Sequence, residues 1–240
     1  MLEPRSWARL GGWLGIDGPI LFVAVMVTSG SIGPQTHTLS EELAALDQPH
    51  IGHLNMLLHS LGAMIGLFGI GWAVALNSVL QSERRSRAGA LAMTFGVSGF
   101  VLLMAMLMVQ GSVQSGIAEQ FAKLTSDADR AAMLAAFRAV RWVDLGLDFT
   151  WDIFVAWSMI LFGTAMLRTP TFGKFWGSLG IVIAALLFAR DMWSAPHPAK
   201  PDISPISFLW FIGVSVKMLV FARRKPVPAT GTGVQPLRPC

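Results

Sequence analysis

The stretch that decides the fold is 141–152, which reads RWVDLGLDFTWD and runs directly into the apolar segment 153–167. In a helix, residues three and four apart are neighbours, so Asp144, Asp148 and Asp152 share one face. A carboxylate at mid-depth in a membrane helix costs about 2.5–3.5 kcal/mol, and less near the membrane surface. Because lipid is a poor environment for this face, we expect other helices to pack around it or water to reach it.

The composition indicates a membrane protein. Of the 240 residues, 53% are hydrophobic and 13% are charged, whereas soluble domains carry about 25% charged residues. The charges lie in short segments between long apolar runs, which is typical of membrane helices. The formal net charge of +4 comes from basic residues in short loops and a tail. This pattern predicts the lipid bilayer as a partner and argues against nucleic acid.

Six apolar segments are long enough to cross a bilayer, and they predict an all-α polytopic membrane bundle. Residues 1–225 are expected to form a single transmembrane domain. The tail 226–240 is rich in Pro, Gly and Thr and is predicted to be disordered and cytoplasmic. The predicted spans are 12–28, 57–80, 90–109, 149–167, 175–193 and 206–222.

An outward amphipathic helix is expected before the fourth span. One helix over 127–167 would be about 60 Å long at 1.5 Å per residue, twice the thickness of a bilayer core. Its first third must therefore project from the membrane or bend onto its surface, with Gly146 as the candidate hinge. In the acidic loop before the second span, 40–46 is predicted to be a short helix with Ser40 as its N-cap.

The distribution of Lys and Arg predicts the orientation of the spans. The basic residues cluster between alternate spans, while the loops at 29–55, 110–147 and 194–205 are acidic, balanced or rich in proline. We therefore expect both termini in the cytoplasm, these three loops outside, and the inner or plasma membrane as the location. Tryptophans near predicted span ends are expected to form an interfacial belt. They are Trp7, Trp13, Trp72, Trp142, Trp176, Trp193 and Trp210.

Three predicted spans carry small residues at a helical spacing, which allows helix backbones to approach closely. We expect these faces to pack helix against helix, and they are also candidate contacts for a homo-oligomer or a membrane complex. The faces are Gly62, Gly66, Gly69 and Ala73; Ala92, Gly96 and Gly99; and Gly173, Gly177, Gly180 and Ala184.

The acidic face of the fourth span is the first candidate site. Arg190, at the far end of the fifth span, is the expected cation for it within the membrane. Two interpretations stay open: an ion-pair network that fixes helix packing, or a polar vestibule that binds a small solute or relays protons. The candidates for ligand or proton binding are Asp144, Asp148, Asp152, Arg141 and Arg190.

Three histidines at the start of the second span are the second candidate site. His50 and His53 are three residues apart, a workable spacing for metal ligands, and His59 lies deeper along the helix. Because no third ligand is fixed, interfacial or hydrogen-bonded histidines are the competing interpretation. No motif predicts a cofactor, and metal or haem binding here is an alternative. The sole cysteine, Cys240, provides neither an intrachain disulfide nor a Cys-based metal site.

The familiar catalytic and nucleotide-binding motifs G-x-x-x-x-G-K-[ST], G-x-S-x-G and H-E-x-x-H do not occur in the sequence. The leading expectation is therefore an integral membrane protein without an enzymatic motif. It would be either a small-solute or proton-linked transport module or an accessory subunit of a membrane complex. The alternative is a membrane metal- or haem-binding protein, or an enzyme, that uses the outward His and Asp residues.

The region around the fourth and fifth spans resembles a bacterial family of six-span membrane proteins known as a domain of unknown function. The resemblance is carried by Asp148, by the apolar run that ends at Gly163, and by 167–169 (LRT) and 174–179 (KFWGSL). The chain departs from the family pattern at Gly173, where the family favours proline, and it contains no tyrosine. The resemblance implies an integral membrane fold and no activity, so no catalytic residue is carried over.

Overall fold

The computed structural model describes residues 3–32, 38–194 and 204–224, which are helical apart from short turns and contain no strand. Six of the described helices are long and apolar enough to cross a membrane, which confirms the predicted all-α polytopic bundle. The helices are α1 (Pro4–Ile32), α2 (Leu39–Leu46), α3 (Pro49–Glu83), α4 (Arg87–Met108), α5 (Gln114–Ala122), α6 (Asp127–Met166), α7 (Gly173–Ser194) and α8 (Ser204–Arg223), with a π-helical turn at Val109–Val113.

The helices extend beyond the predicted spans. The predicted loop at 110–147 is largely helical. In this region α4 continues through the π-helical turn into α5, and α6 begins only a few residues later. At 40 residues α6 is about 60 Å long, and it runs through Gly146 without a break. The predicted tail 226–240 and most of the predicted proline-rich loop at 194–205 lie outside the described residues.

The six spanning helices form a closed ring in which each helix packs against the two beside it. The order around the ring is α1, α3, α4, α6, α7 and α8, and α8 returns to α1. Aromatic side chains fill the centre, where the ring of Trp72 lies 4.5 Å from Phe211, 5.8 Å from Phe162 and 5.9 Å from Trp210 between ring centroids. A single apolar core therefore joins all six spanning helices.

Two tryptophans that were predicted for the interfacial belt lie in this core. Trp72 and Trp210 are 2% and 0% exposed. Their indole N–H groups have partners inside the protein: Trp72 donates to Ser215 Oγ at 2.9 Å, and Trp210 donates to the carbonyl of Trp176 at 2.9 Å. The belt prediction is wrong for these two residues, because packing turned them inward and hydrogen bonds satisfied their polar atoms.

The small-residue faces are used for packing within the chain, as predicted. A Cβ on Gly177 would lie 2.7 Å from the carbonyl oxygen of Gly163, so α6 and α7 approach backbone to backbone. A Cβ on Gly66 would lie 2.9 Å from the carbonyl oxygen of Phe100 in α4. Gly173 was predicted for the α7 face but does not pack there, because its φ is +70° at the start of the helix and no atom lies within 4 Å of an added Cβ. The other members of these faces pack against helices of the same chain.

A small cap of three helices covers one end of the ring. Its separate apolar core consists of Leu43 of α2, Ala118 and Phe121 of α5, and Phe137 in the first part of α6. We name this the cap end of the ring. The opposite end, where α3, α6 and α8 finish and α4 and α7 begin, is the basic end.

The short helix in the cap was predicted, but its N-cap was not. The hydroxyl of Thr38 accepts the N–H of Glu41 at 3.2 Å, and the Glu41 carboxylate accepts the N–H of Thr38 at 3.1 Å. This reciprocal capping box fixes the start of α2 at Thr38. The prediction of Ser40 is therefore wrong by two residues.

Contacts at the basic end join three segments that are distant in the sequence. The carboxylate of Glu83 accepts hydrogen bonds from the backbone N–H of Thr171, at 3.3 Å, and from its hydroxyl. The guanidinium of Arg224 lies 3.5 Å from the same hydroxyl. The turn after α3, the turn before α7 and the end of α8 therefore meet on one side, as the distribution of basic residues predicts.

The α6–α7 contact gives a stability prediction with a matched control. Gly177→Ala should lower the free energy of unfolding by about 1–3 kcal/mol, because the new methyl group meets backbone on the facing helix. Gly146→Ala, where no atom lies within 4 Å of the added Cβ, should raise stability by roughly 0.5–1 kcal/mol. Thermal unfolding in detergent measures both. Equal midpoints for the two variants would contradict close packing of α6 on α7.

Candidate functional site

A cavity of about 50 Å³ lies in the centre of the ring, in the half nearer the cap end. This volume holds a few water molecules, whereas a compact ring needs about 150 Å³ and would require the lining side chains to move apart. Residues from all six spanning helices line the cavity, and most of its wall is aromatic or aliphatic. The aromatic lining residues are Phe22, Trp72, Phe100, Trp151, Phe208 and Phe211.

One side-chain donor and one backbone acceptor among the lining residues lack their usual hydrogen-bond partners. The indole N–H of Trp151 is buried and has no acceptor among the described residues, although buried tryptophans usually have one. Pro19 lies inside α1 and has no N–H, so the carbonyl of Gly15, four residues earlier, lacks its usual helical donor. Trp151, Gly15 and Pro19 all line the cavity. The mainly apolar wall therefore contains one donor without a partner, and Gly15 is the wall residue whose carbonyl lacks its usual helical donor.

The cavity wall also contains the acid–base pair that the sequence suggested. Asp152 lines the cavity, and its Oδ2 lies 3.5 Å from the guanidinium of Arg190 in α7. The same guanidinium lies 3.0 Å from Oδ1 of Asp191, which is 4% exposed. The structure thus brings Asp152 and Arg190 together and adds Asp191, which the sequence reading did not include among the site residues.

The other acidic-face candidates are not in the cavity. Asp148 is exposed on α6 and is not part of the cavity wall. Arg141, expected near the acids of its own helix, forms an ion pair with Glu42 of α2 at 2.9 Å. Arg141 therefore connects α6 to the short helix α2 of the cap.

Asp144 belongs to a second polar group, which we name the π-turn cluster: Asn55, His59, Gln110, Gln114 and Asp144. The Asp144 side chain is 6% exposed, and its Oδ2 accepts a hydrogen bond from Gln110 Nε2 at 3.0 Å. Its Oδ1 and Nε2 of Gln114 are buried without a partner in the described ranges. Turns of π-helix are frequent at functional sites. The sequence did not indicate this turn, because 110–114 read as a loop.

Residues of α3 hold the π-helical turn in place. The side-chain amide of Asn55 donates to the carbonyl of Gln110 at 3.3 Å and to the hydroxyl of Ser115 at 3.2 Å. Nδ1 of His59 lies 2.7 Å from the carbonyl of Asn55. Because a carbonyl can only accept a hydrogen bond, Nδ1 is the nitrogen that carries the proton in this contact.

The three histidines do not converge on one another as a metal site. His50 and His53 are exposed, and His59 is half-buried beside the π-helical turn. Across the described residues, no group of three or more His, Cys, Asp or Glu side chains could hold a metal ion. The metal or haem alternative therefore stays a prediction for which the described residues supply no ligand set.

Comparisons with protein-family models, with curated proteins and with solved structures find no match. The resemblance to the six-span bacterial family therefore stays a prediction. What the fold and the site define is a class: a multi-pass helical membrane protein, with a closed ring of six helices around a small, mainly apolar cavity.

The pair at the cavity wall gives a prediction about which side chain is more important for folding. Arg190→Gln should lower the unfolding temperature more than Asp152→Asn does. The first change removes the charge that faces two carboxylates, while the second leaves Arg190 with Asp191. Thermal unfolding of the detergent-solubilised variants is the measurement. A larger loss for Asp152→Asn would mean that Asp191 does not hold the guanidinium.

The π-turn cluster gives a second prediction. Asp144→Asn should leave the unfolding temperature unchanged or raise it, because a neutral amide is less costly to bury than a carboxylate with one unpaired oxygen. Gln110→Ala should cost about 1–3 kcal/mol, since it removes the one donor that faces Asp144 Oδ2. If Asp144→Asn were as destabilising as Gln110→Ala, the charge of the carboxylate would itself be stabilising, with Arg141 and His59 as the nearby side chains able to do this.

Proposed function

We propose that this membrane protein is a small-solute transport module and that its solute binds in the central cavity. The observation that carries the proposal is the buried indole N–H of Trp151, which has no acceptor among the described residues of a cavity lined by all six spanning helices. A cavity with an apolar wall and a few convergent polar groups is the usual form of a small-molecule site.

The wall of the cavity indicates the chemistry of the solute. Aromatic rings favour a compact, mainly apolar body that can pack against their faces and edges. An oxygen on that body would accept the N–H of Trp151. A hydroxyl group could in addition donate to the carbonyl of Gly15, which Pro19 deprives of its helical donor. The solute class is therefore a small lipophilic alcohol or phenol.

The ion pair between Asp152 and Arg190 supports a link between solute and proton movement. Asp152 lines the cavity from α6, and Arg190 lies on α7. Protonation of Asp152 would remove its charge, so the attraction between these two helices at the cavity wall would weaken. A solute that enters the cavity would in turn change the surroundings of this carboxylate. The proposal therefore includes proton-linked transport.

The orientation is part of the same proposal. The positive-inside rule places the basic end in the cytoplasm of an inner or plasma membrane, with both termini, and the cap outside. The described basic residues that support this orientation are Arg5, Arg9, Arg84, Arg85, Arg87, Arg168, Lys174, Arg223 and Arg224. The cavity would then lie in the outer half of the membrane.

The two alternatives have less support than the transport module. An accessory subunit was expected to contact partners through its glycine faces and its Trp-rich span ends. Helices of the same chain pack on most of these glycines, while Trp13, Trp142 and Trp193 are exposed. A metal or haem protein was expected to use His50, His53 and His59, which are not brought together with other ligands in the described part of the chain.

Binding of 4-ethylphenol and of ethylbenzene to purified protein in nanodiscs tests the proposal. We expect 4-ethylphenol to bind more tightly than ethylbenzene, and Trp151→Phe to weaken its binding about threefold to tenfold, as the loss of one hydrogen bond predicts. Ethylbenzene binding should not change in this variant. Calorimetric titration measures the dissociation constants.

Trp157→Phe is the matched control, because Trp157 lies on α6 at the surface of the ring and is 45% exposed. It should bind both compounds as the unchanged protein does. The proposal would be overturned if neither compound bound saturably, or if Trp151→Phe bound 4-ethylphenol as tightly as Trp157→Phe.

A further inference from the structure

A groove between α1 and α8 opens on the outer surface of the ring, beside the central cavity. Its volume is about 430 Å³, and only apolar residues of these two helices line it. Ile20 and Val23 of α1 and Ile206 and Leu209 of α8 are among its exposed residues. All four lie within the candidate membrane spans, so the groove faces the hydrocarbon of the bilayer.

The groove and the cavity are separated by one layer of side chains. Pro19 and Phe208 contribute to the walls of both. Phe22 lines the cavity, and its ring packs against that of Phe208 with 4.8 Å between centroids. These two side chains therefore lie where the cavity and the groove approach each other.

The dimensions of the groove favour a hydrocarbon chain over a protein helix. Its residues on α8 run from Ile206 to Ile212, which corresponds to about 9 Å along the helix axis. A spanning partner helix would contact the ring along much of the hydrocarbon core, which is about 30 Å thick. Helix contacts in membranes are also enriched in small residues, and the groove lining contains none.

We propose that the ligand of the central cavity is a single-tailed amphiphile that arrives from the bilayer between α1 and α8. Its compact, oxygen-bearing head lies in the cavity near Trp151, and its hydrocarbon tail passes Phe22 and Phe208 into the groove. This inference rests on the proposed function and specifies its solute as a lipid-like molecule.

Photolabelling of the full chain in nanodiscs tests the inference. The probe is a phenol with a nine-carbon chain at the 4-position and a diazirine at the end of that chain. We expect labelled peptides to contain groove residues of α1 or α8, and an excess of 4-ethylphenol to prevent the labelling. Mass spectrometry identifies the labelled residues.

Two tryptophan variants make the test specific to the groove. Val23→Trp fills the groove and should reduce tail labelling about tenfold. Val182→Trp is the control, because Val182 is exposed on α7, away from the groove, and it should label as the unchanged protein does. Both variants should bind 4-ethylphenol normally, which shows that each is folded and that the head site is intact.

The outcomes separate this inference from the proposed function. If 4-ethylphenol binds and displaces the probe, but the label lies outside the groove or Val23→Trp has no effect, the lateral route is wrong and the cavity site stands. If 4-ethylphenol neither binds nor competes, both ideas fail. A dimer in nanodiscs that Val23→Trp disrupts and Val182→Trp leaves intact would make the groove a protein contact and would overturn the inference.

Discussion

Inside a bilayer, a polar group must find its partner within the protein, and this constraint determines most of the interior of the ring. The N–H groups of Trp72 and Trp210 have acceptors on other helices, and the hydroxyl of Ser158 in α6 donates to the carbonyl of Ala92 in α4 at 2.8 Å. The indole of Trp151 is an exception to this rule. Its N–H has no acceptor among the described residues and is buried beside a central cavity that touches all six spanning helices. The unpaired polar group and the available space therefore coincide.

Hydropathy and charge were sufficient to predict the six spans, because both depend on composition along the chain. The partner of Asp152 could also be predicted, since a carboxylate in a membrane helix requires a cation and Arg190 lies at a matching depth. The inward direction of Trp72 could not be predicted, because it depends on which neighbours close around α3. The π-helical turn was missed for a related reason: its polar residues look like a loop until Asn55 and Asp144 are seen to form hydrogen bonds with Gln110.

The length of α6 relates the two polar regions of the protein. Asp144 lies under the π-helical turn, and Asp152 lines the cavity. They are eight residues apart on one uninterrupted helix, which is about 12 Å along its axis. The cap is fixed to the same helix by the ion pair of Arg141 with Glu42 and by the apolar contacts of Phe137. One helix therefore carries the contacts of the cap, the Asp144 side chain and part of the wall of the cavity.

The ring is closed by its first and last helices, and this has a consequence for biosynthesis. The indole of Trp72 in α3 donates to Ser215 in α8, and Gly15 of α1 packs against the same serine. Until α8 has been translated and inserted, α1 lacks one of its two neighbours and the indole of Trp72 lacks Ser215 as its acceptor. The nascent bundle stays open beside α1 until α8 has been inserted.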